Sequence, residues 1–216
     1  MNFKNKDSIL IIILIIFHLV GIIGMNLPSY RNQILSLSSM NLWISFGVII
    51  LSRKSNFIPF LLFFALSFTL GMTFEIIGVK TGILFGEYYY GSNLGAKIAE
   101  VPIVIGLNWV ILAVCAGNLL HKLKVNIFFK MIIPSLLMVF LDFLLEPIAI
   151  KSDYWHWKNG EIPIYNYVCW FVLSLPITYL YLNSKIFKVK LNEQNKVSNV
   201  LYLIFVLFFG ILNLIN

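Results

Sequence analysis

Charge is what this chain has least of: only 12% of its 216 residues are Asp, Glu, Lys or Arg, against 60% hydrophobic. A water-soluble fold of this size would carry about 25% charged residues, so a soluble domain is excluded. Histidine is scarce too. His18, His121 and His156 lie on separate segments, and the membrane di-iron hydroxylases, desaturases and ketolases need a large clustered set. The chain has no phosphate-cradling glycine loop, dinucleotide fingerprint or serine nucleophile elbow. Asp-rich diphosphate-binding motifs are also missing. No metal and no cofactor is expected. The two cysteines, Cys115 and Cys169, sit inside apolar runs without metal-site spacing, and apolar packing is expected ahead of a disulfide.

What the chain does have is a series of apolar runs with short polar breaks, at about 8–26, 34–51, 57–78, 100–120, 126–149, 164–183 and 198–215. They predict one all-α, polytopic integral membrane domain over 1–216, with about seven transmembrane helices. The last run is short and serines weaken the second, so six is the alternative. The first run follows Lys4 and Lys6 as a signal peptide would, but Gly21–Met25 offers no clear cleavage site. It is read as retained.

The net charge of +7 points to topology and not to nucleic acid. With a cytoplasmic N-terminus, one side carries Lys4, Lys6, Arg53, Lys54, Lys122, Lys124, Lys130, Lys185, Lys188, Lys190 and Lys196. The other carries Arg31, Lys80, Lys97, Lys151 and Lys158. That bias is the positive-inside pattern of a multi-pass protein of the inner (cytoplasmic) membrane.

Against this background Glu75, Asp142 and Glu146 stand out, because they end otherwise apolar runs. A charge near the centre of a spanning helix costs roughly 2.5–3.5 kcal/mol on insertion scales, so a function is expected for them. Glu75 lies roughly 27 Å along its helix and Asp142 roughly 24 Å along its own at the usual rise. Both helices run outward. Asn108 and Trp109 enter from the same side on the next run, and Asn166 and Trp170 on a later one. Polar groups from four helices therefore converge in the outer half of the membrane. Asp142 and Glu146 share a helix face at i, i+4, and two carboxylates so close are expected to retain a proton between them. Pro147 is expected to bend or end the helix at Glu146.

Two loops on this outer side are rich in rings and glycines. One holds Tyr88, Tyr89 and Tyr90 among Gly82, Gly86, Gly91 and Gly95; the other reads Asp153-Tyr-Trp-His-Trp157. A membrane-interface belt is the plain reading of these rings, ligand contact the second. Glu87, Glu100, Asp153 and Glu161 are expected to be mostly solvated.

Carboxylates among aromatic rings suit cofactor-free acid–base chemistry. A protonated acid can add its proton to an electron-rich alkene, ring faces can stabilise the carbocation, and a second carboxylate or amide can place the water that captures it. The substrate would be a lipid-soluble polyene or isoprenoid arriving from the bilayer, with membrane lipids and water as the other partners.

The same residues resemble those of a family. Glu75 with Gly78, Thr81-Gly82, Phe85-Gly86, Tyr88 and Tyr90, Leu94-Gly95, Val101-Pro102 and Trp109 form an ordered series. It resumes at Asp142, Pro147, Trp155 and Trp157, Ile162-Pro163, Asn166 and Trp170. Over about residues 70–175 the chain is similar to the carotenoid-biosynthesis membrane proteins, the CruF-type carotenoid 1,2-hydratases. The resemblance implies hydration of a terminal isoprenoid C=C of lycopene or a γ-carotene-type substrate to a tertiary alcohol. On the acid–base reading of these residues the catalytic set is Glu75, Asp142, Glu146 and Asn166: Asp142 or Glu75 gives the proton, and the other, with Glu146 or Asn166, holds the water. Tyr88, Tyr90, Asn108, Trp109, Trp155, Trp157 and Trp170 would contact substrate. Association with other carotenoid-pathway enzymes is a further implication. The chain departs from the family at Asp153-Tyr154, where members often have glycine, and Glu146 before Pro147 is a subfamily feature. A carotenoid cyclase with the same protonation step is the nearest alternative, and a small proton-coupled transporter a more distant one.

Overall fold

The computed structural model describes residues 3–54, 57–120, 124, 126–183 and 195–215. Of the residues named from sequence, His121, Lys122, Lys185, Lys188 and Lys190 lie outside these. The described chain is helical apart from short connections: α1 (Phe3–Asn26), α2 (Arg31–Ser36), α3 (Ser38–Ser52), α4 (Phe57–Thr81), α5 (Ile103–Leu119), α6 (Ile127–Lys151), α7 (Ile164–Leu182) and α8 (Lys196–Ile215). In hydrocarbon each backbone N–H and C=O must be satisfied inside its own segment, which makes helix the outcome for long apolar runs. Asn5–Asn26, Phe57–Thr81, Ile127–Lys151 and Lys196–Ile215 are long and apolar enough to cross a membrane, and α3 and α5 are shorter apolar helices. Ile12, Ile23, Ile58, Leu62, Phe143, Leu207 and Leu214 face outward, as a lipid-facing surface requires. The fold is an all-α membrane bundle.

The axis of the bundle is α5. Nearly all its residues from Val104 to Asn118 are buried, and α3, α4, α6, α7 and α8 all pack on it. The second apolar run, expected as one helix, divides at Leu37 between α2 and α3. Its serines explain the break: the Ser36 hydroxyl donates to the Gln33 carbonyl at 2.7 Å, competing with the helical ladder. At one end of the bundle Lys54 after α3 approaches Asp7 on α1 at 3.9 Å. At the same end Asn118 of α5 donates to the Asn195 carbonyl at 2.6 Å, and Asn195 donates to Ser52 at 2.8 Å. The Asn195 side-chain oxygen also accepts from the N–H groups of Val197 and Ser198, capping α8. At the opposite end the Arg31 guanidinium donates to the carbonyls of Met25 and Lys151 at 2.8 and 3.0 Å, tying the ends of α1 and α6 together. The carboxylates lie toward this second end.

Two sequence expectations change here. The helix does not end at Pro147; α6 runs through it to Lys151. Proline leaves the Phe143 carbonyl without its usual i+4 donor, and Asn213 of α8 donates to the adjacent Leu144 carbonyl at 2.7 Å. Glu100 does not begin a helix. It sits with Ala99 at the tip of a hairpin joining β2 (Lys97–Ile98) to β3 (Val101–Pro102), both residues at positive φ. The remaining strands, β1 (Tyr88–Tyr90) and β4 (Trp155–Trp157), pair antiparallel with Tyr88 opposite Trp157 and Tyr90 opposite Trp155. The two outer loops are therefore one structure.

Candidate active site

Strand geometry sorts the loop rings. Successive side chains point to opposite faces, so Tyr88, Tyr90, Trp155 and Trp157 turn inward and are buried, while Tyr89 is exposed and His156 half-buried. A membrane-interface belt is thus the wrong description of the four inward rings. Tyr89 and His156 meet outside in a tilted ring contact, centroids 5.3 Å apart. The His156 ring bonds Asp153 at 2.8 Å. Asp153 also accepts from the Ser92 N–H and hydroxyl; the Ser92 backbone first, then His156 and the Ser92 hydroxyl, pull its carboxyl down to about 2.

Beneath the ladder lie the three buried carboxylates. Glu75 of α4 is fully engaged. Its Oε2 accepts from the hydroxyls of Tyr88 at 2.6 Å and Tyr90 at 2.7 Å, and its Oε1 accepts from the Trp109 indole at 3.0 Å. Trp109 lies flat on Trp170, ring centroids 4.0 Å apart and planes 6° apart. Gly71, one turn before Glu75, makes room for that indole: a Cβ there would sit 2.7 Å from Trp109 Cγ.

Glu146 of α6 accepts from both strand indoles on one oxygen, Trp155 at 3.0 Å and Trp157 at 2.9 Å. Its other oxygen accepts from the Asn166 amide of α7 at 3.1 Å. The same Asn166 nitrogen donates to Asp142 Oδ2 at 2.8 Å, so one amide bridges the i, i+4 pair. Asp142 Oδ1 is buried without any partner. Among the described residues no lysine or arginine forms an ion pair with these three acids, and no group of three or more His, Cys, Asp and Glu could hold a metal ion.

Two cavities meet at Asp142. A small one of about 20 Å³ is lined by all three carboxylates with Tyr88, Tyr90, Asn108, Trp155, Trp157, Asn166 and Trp170. A space of about 10–15 Å³ on this measure suffices for a water with polar partners. The larger, about 170 Å³, is an apolar chamber between α1, α3, α5, α6 and α8. Asn108, Asp142, Trp155 and Trp170 line both.

The sequence-named residues are all in or against this cluster, though Trp109 stands behind Trp170 and lines neither cavity. Glu87 and Glu100 instead pair with Lys158 and Lys80 at the surface. Cys115 and Cys169 are free and buried. Phe85 was not singled out for the site. It holds φ +68 while buried against Tyr88 and Trp170, and its only sequence signal is its place in the Phe85-Gly86 pair of the family-like series. The chamber wall of α1 and α8 was also missed, since its residues read as ordinary apolar helix.

These features define a class: a membrane helix bundle that encloses a carboxylate–aromatic site beside an apolar chamber. The family model for carotenoid biosynthesis proteins matches residues 15–216, and the chain belongs to that family. The protein therefore acts in carotenoid biosynthesis. Comparison with curated proteins and with solved structures gave no match.

Proposed function

We propose that the protein is a carotenoid 1,2-hydratase, adding water to a terminal isoprenoid C=C of lycopene or a γ-carotene-type polyene. One observation carries this reading: Asp142, whose Oδ1 has no partner, lines both an apolar chamber and a pocket sized for one water. An end group in the chamber would present its alkene to that oxygen, and the pocket would present water to the cation.

Asp142 and Glu146, bridged by Asn166 with no cation beside them, share one proton. Asp142 gives it from Oδ1 to C2 of the terminal double bond, and the π pair becomes the new C–H bond. The tertiary cation left at C1 faces the rings of Trp155 and Trp170. The pocket water bonds to C1 through oxygen and passes its extra proton to Glu146. The pair ends with the one proton it began with, and the substrate has gained H and OH. Glu75, whose oxygens are taken by three donors, serves as a fixed negative charge and not as the donor.

The water-sized pocket favours hydration over cyclisation, in which a neighbouring alkene would capture the cation. A proton-coupled transporter is disfavoured because α5, between the carboxylates and the Asn118 cluster, is apolar and buried from Val110 to Val114. By the distribution of Lys and Arg, the site lies in the outer half of the inner membrane with the N-terminus cytoplasmic. Expression in a lycopene-producing host tests the reaction. A tertiary alcohol is expected in the pigment extract; a new ring, or unchanged lycopene, overturns the proposal.

A further inference from the structure

The chamber wall holds two polar pairs that the proposed reaction does not use: Ser38 and Tyr154 satisfy each other at 2.6 Å, whereas His18 and Asn41 do not. His18 of α1 is buried and lines the chamber with Asn41 of α3. The His18 ring sits edge-on to Phe205 and Phe208 of α8, each at 5.4 Å. Its Nδ1 lies 2.8 Å from the Leu14 carbonyl. A carbonyl only accepts, so Nδ1 carries the hydrogen and the other nitrogen presents a lone pair. That Nε2 has only a long contact, 3.5 Å, from the Asn41 amide nitrogen. The Asn41 side-chain oxygen is buried with no partner. Nε2 thus has one long donor and the Asn41 oxygen none, on two residues that line the same apolar space, where an unmade hydrogen bond is costly.

Position adds to this. Phe17, Val20, Leu37 and Met40 also line the chamber and are exposed on the outer surface, so the chamber opens toward lipid beside His18 and Asn41. A cavity of about 150 Å³ holds one benzene. At about 170 Å³ this chamber holds an end group only, and the rest of a long polyene must leave past His18 and Asn41.

We propose that His18 Nε2 and Asn41 Oδ1 form a hydroxyl-binding subsite at the lipid-facing mouth of the chamber, which takes the O–H of a terpenoid alcohol. The ligand donates one hydrogen bond there while its apolar skeleton fills the chamber toward Asp142. The proposal rests on the hydratase reading only in expecting a terpenoid ligand.

The test is binding to the full-length protein in lipid nanodiscs, using a C10 terpenoid alcohol and the hydrocarbon of the same skeleton. Fluorescence of Trp155 and Trp170, which line the chamber, reports occupancy after correction for partition into lipid. The wild type is expected to prefer the alcohol by about fivefold, the worth of about one hydrogen bond. Asn41→Leu and His18→Phe are expected to bind the hydrocarbon and lose the preference. Asp142→Asn should keep it, even with hydration abolished, so failure of the reaction and failure of the subsite are told apart. Equal binding of the two ligands by the wild type, no binding of either, or an alcohol preference surviving in Asn41→Leu overturns the proposal.

Discussion

Glu75→Gln keeps the shape of the side chain and replaces one acceptor oxygen by an NH2 group. In the better amide orientation the remaining oxygen keeps the Tyr88 and Tyr90 hydroxyls, and NH2 faces the Trp109 indole N–H, donor against donor. The indole N–H and the new NH2 group then both lack an acceptor, at about 1–3 kcal/mol for a buried unsatisfied group, and two hydrogen bonds lose their charge assistance. A loss of about 2–4 kcal/mol is expected, above the roughly 1–2 kcal/mol of a single hydrogen bond in a membrane bundle because several donors are affected together. Asp142→Asn differs. Asparagine can keep its oxygen toward Asn166 and put NH2 where Oδ1 had no partner, so stability should change by less than about 1 kcal/mol. Its amide cannot supply a proton, and turnover should fall by about 10²–10⁴, the range for loss of a general acid. Denaturant unfolding in mixed micelles reads the first quantity, and pigment conversion in a lycopene-producing host the second. The division of roles fails if Asp142→Asn unfolds more easily than Glu75→Gln, or if it converts lycopene at the normal rate.

Two further outcomes follow from the same geometry. Gly71→Ala would press a methyl group against Trp109 and push it off Trp170 and Glu75. A loss of about 1–3 kcal/mol, typical of overpacking, should appear in thermal unfolding; an unchanged midpoint would mean the indole moves freely. Asp153, with its carboxyl held at about 2 in the fold against an ordinary 3.8, stabilises the β1–β4 connection above about pH 4. That contribution is lost as pH falls toward 2, and it is modest because the side chain is 44% exposed. Near-ultraviolet dichroism of the strand rings should show an acid transition that Asp153→Asn removes, and a transition retained in that variant would assign it elsewhere.

The carboxylates were legible because acids are costly in a spanning helix, and their convergence followed from helix direction and length. Asn166 and Trp109 were reachable by depth along their helices. The inward turn of the rings was also available: Tyr-Tyr-Tyr and Trp-His-Trp each match a strand of period two, but their place in a loop favoured the belt reading. The chamber was not legible. A gap among apolar side chains depends on how α1, α3 and α8 fail to fill the space between them, and no local pattern records that. Nor does sequence show which group serves the backbone beside Pro147, because Asn213 arrives from a distant segment.

The antiparallel ladder of Tyr88–Tyr90 with Trp155–Trp157 constrains how the two loops can change length. Side chains alternate with a period of two. Slipping either strand by one residue would put Tyr89 or His156 against the acids and turn the ring donors of Glu75 or Glu146 outward. Insertions near these strands should therefore survive only in steps of two, or where a bulge absorbs the odd residue. The roughly sixty residues between the strands include Trp109, Asp142 and Glu146, so the phase of the strands fixes which rings meet acids carried by the segment that joins them.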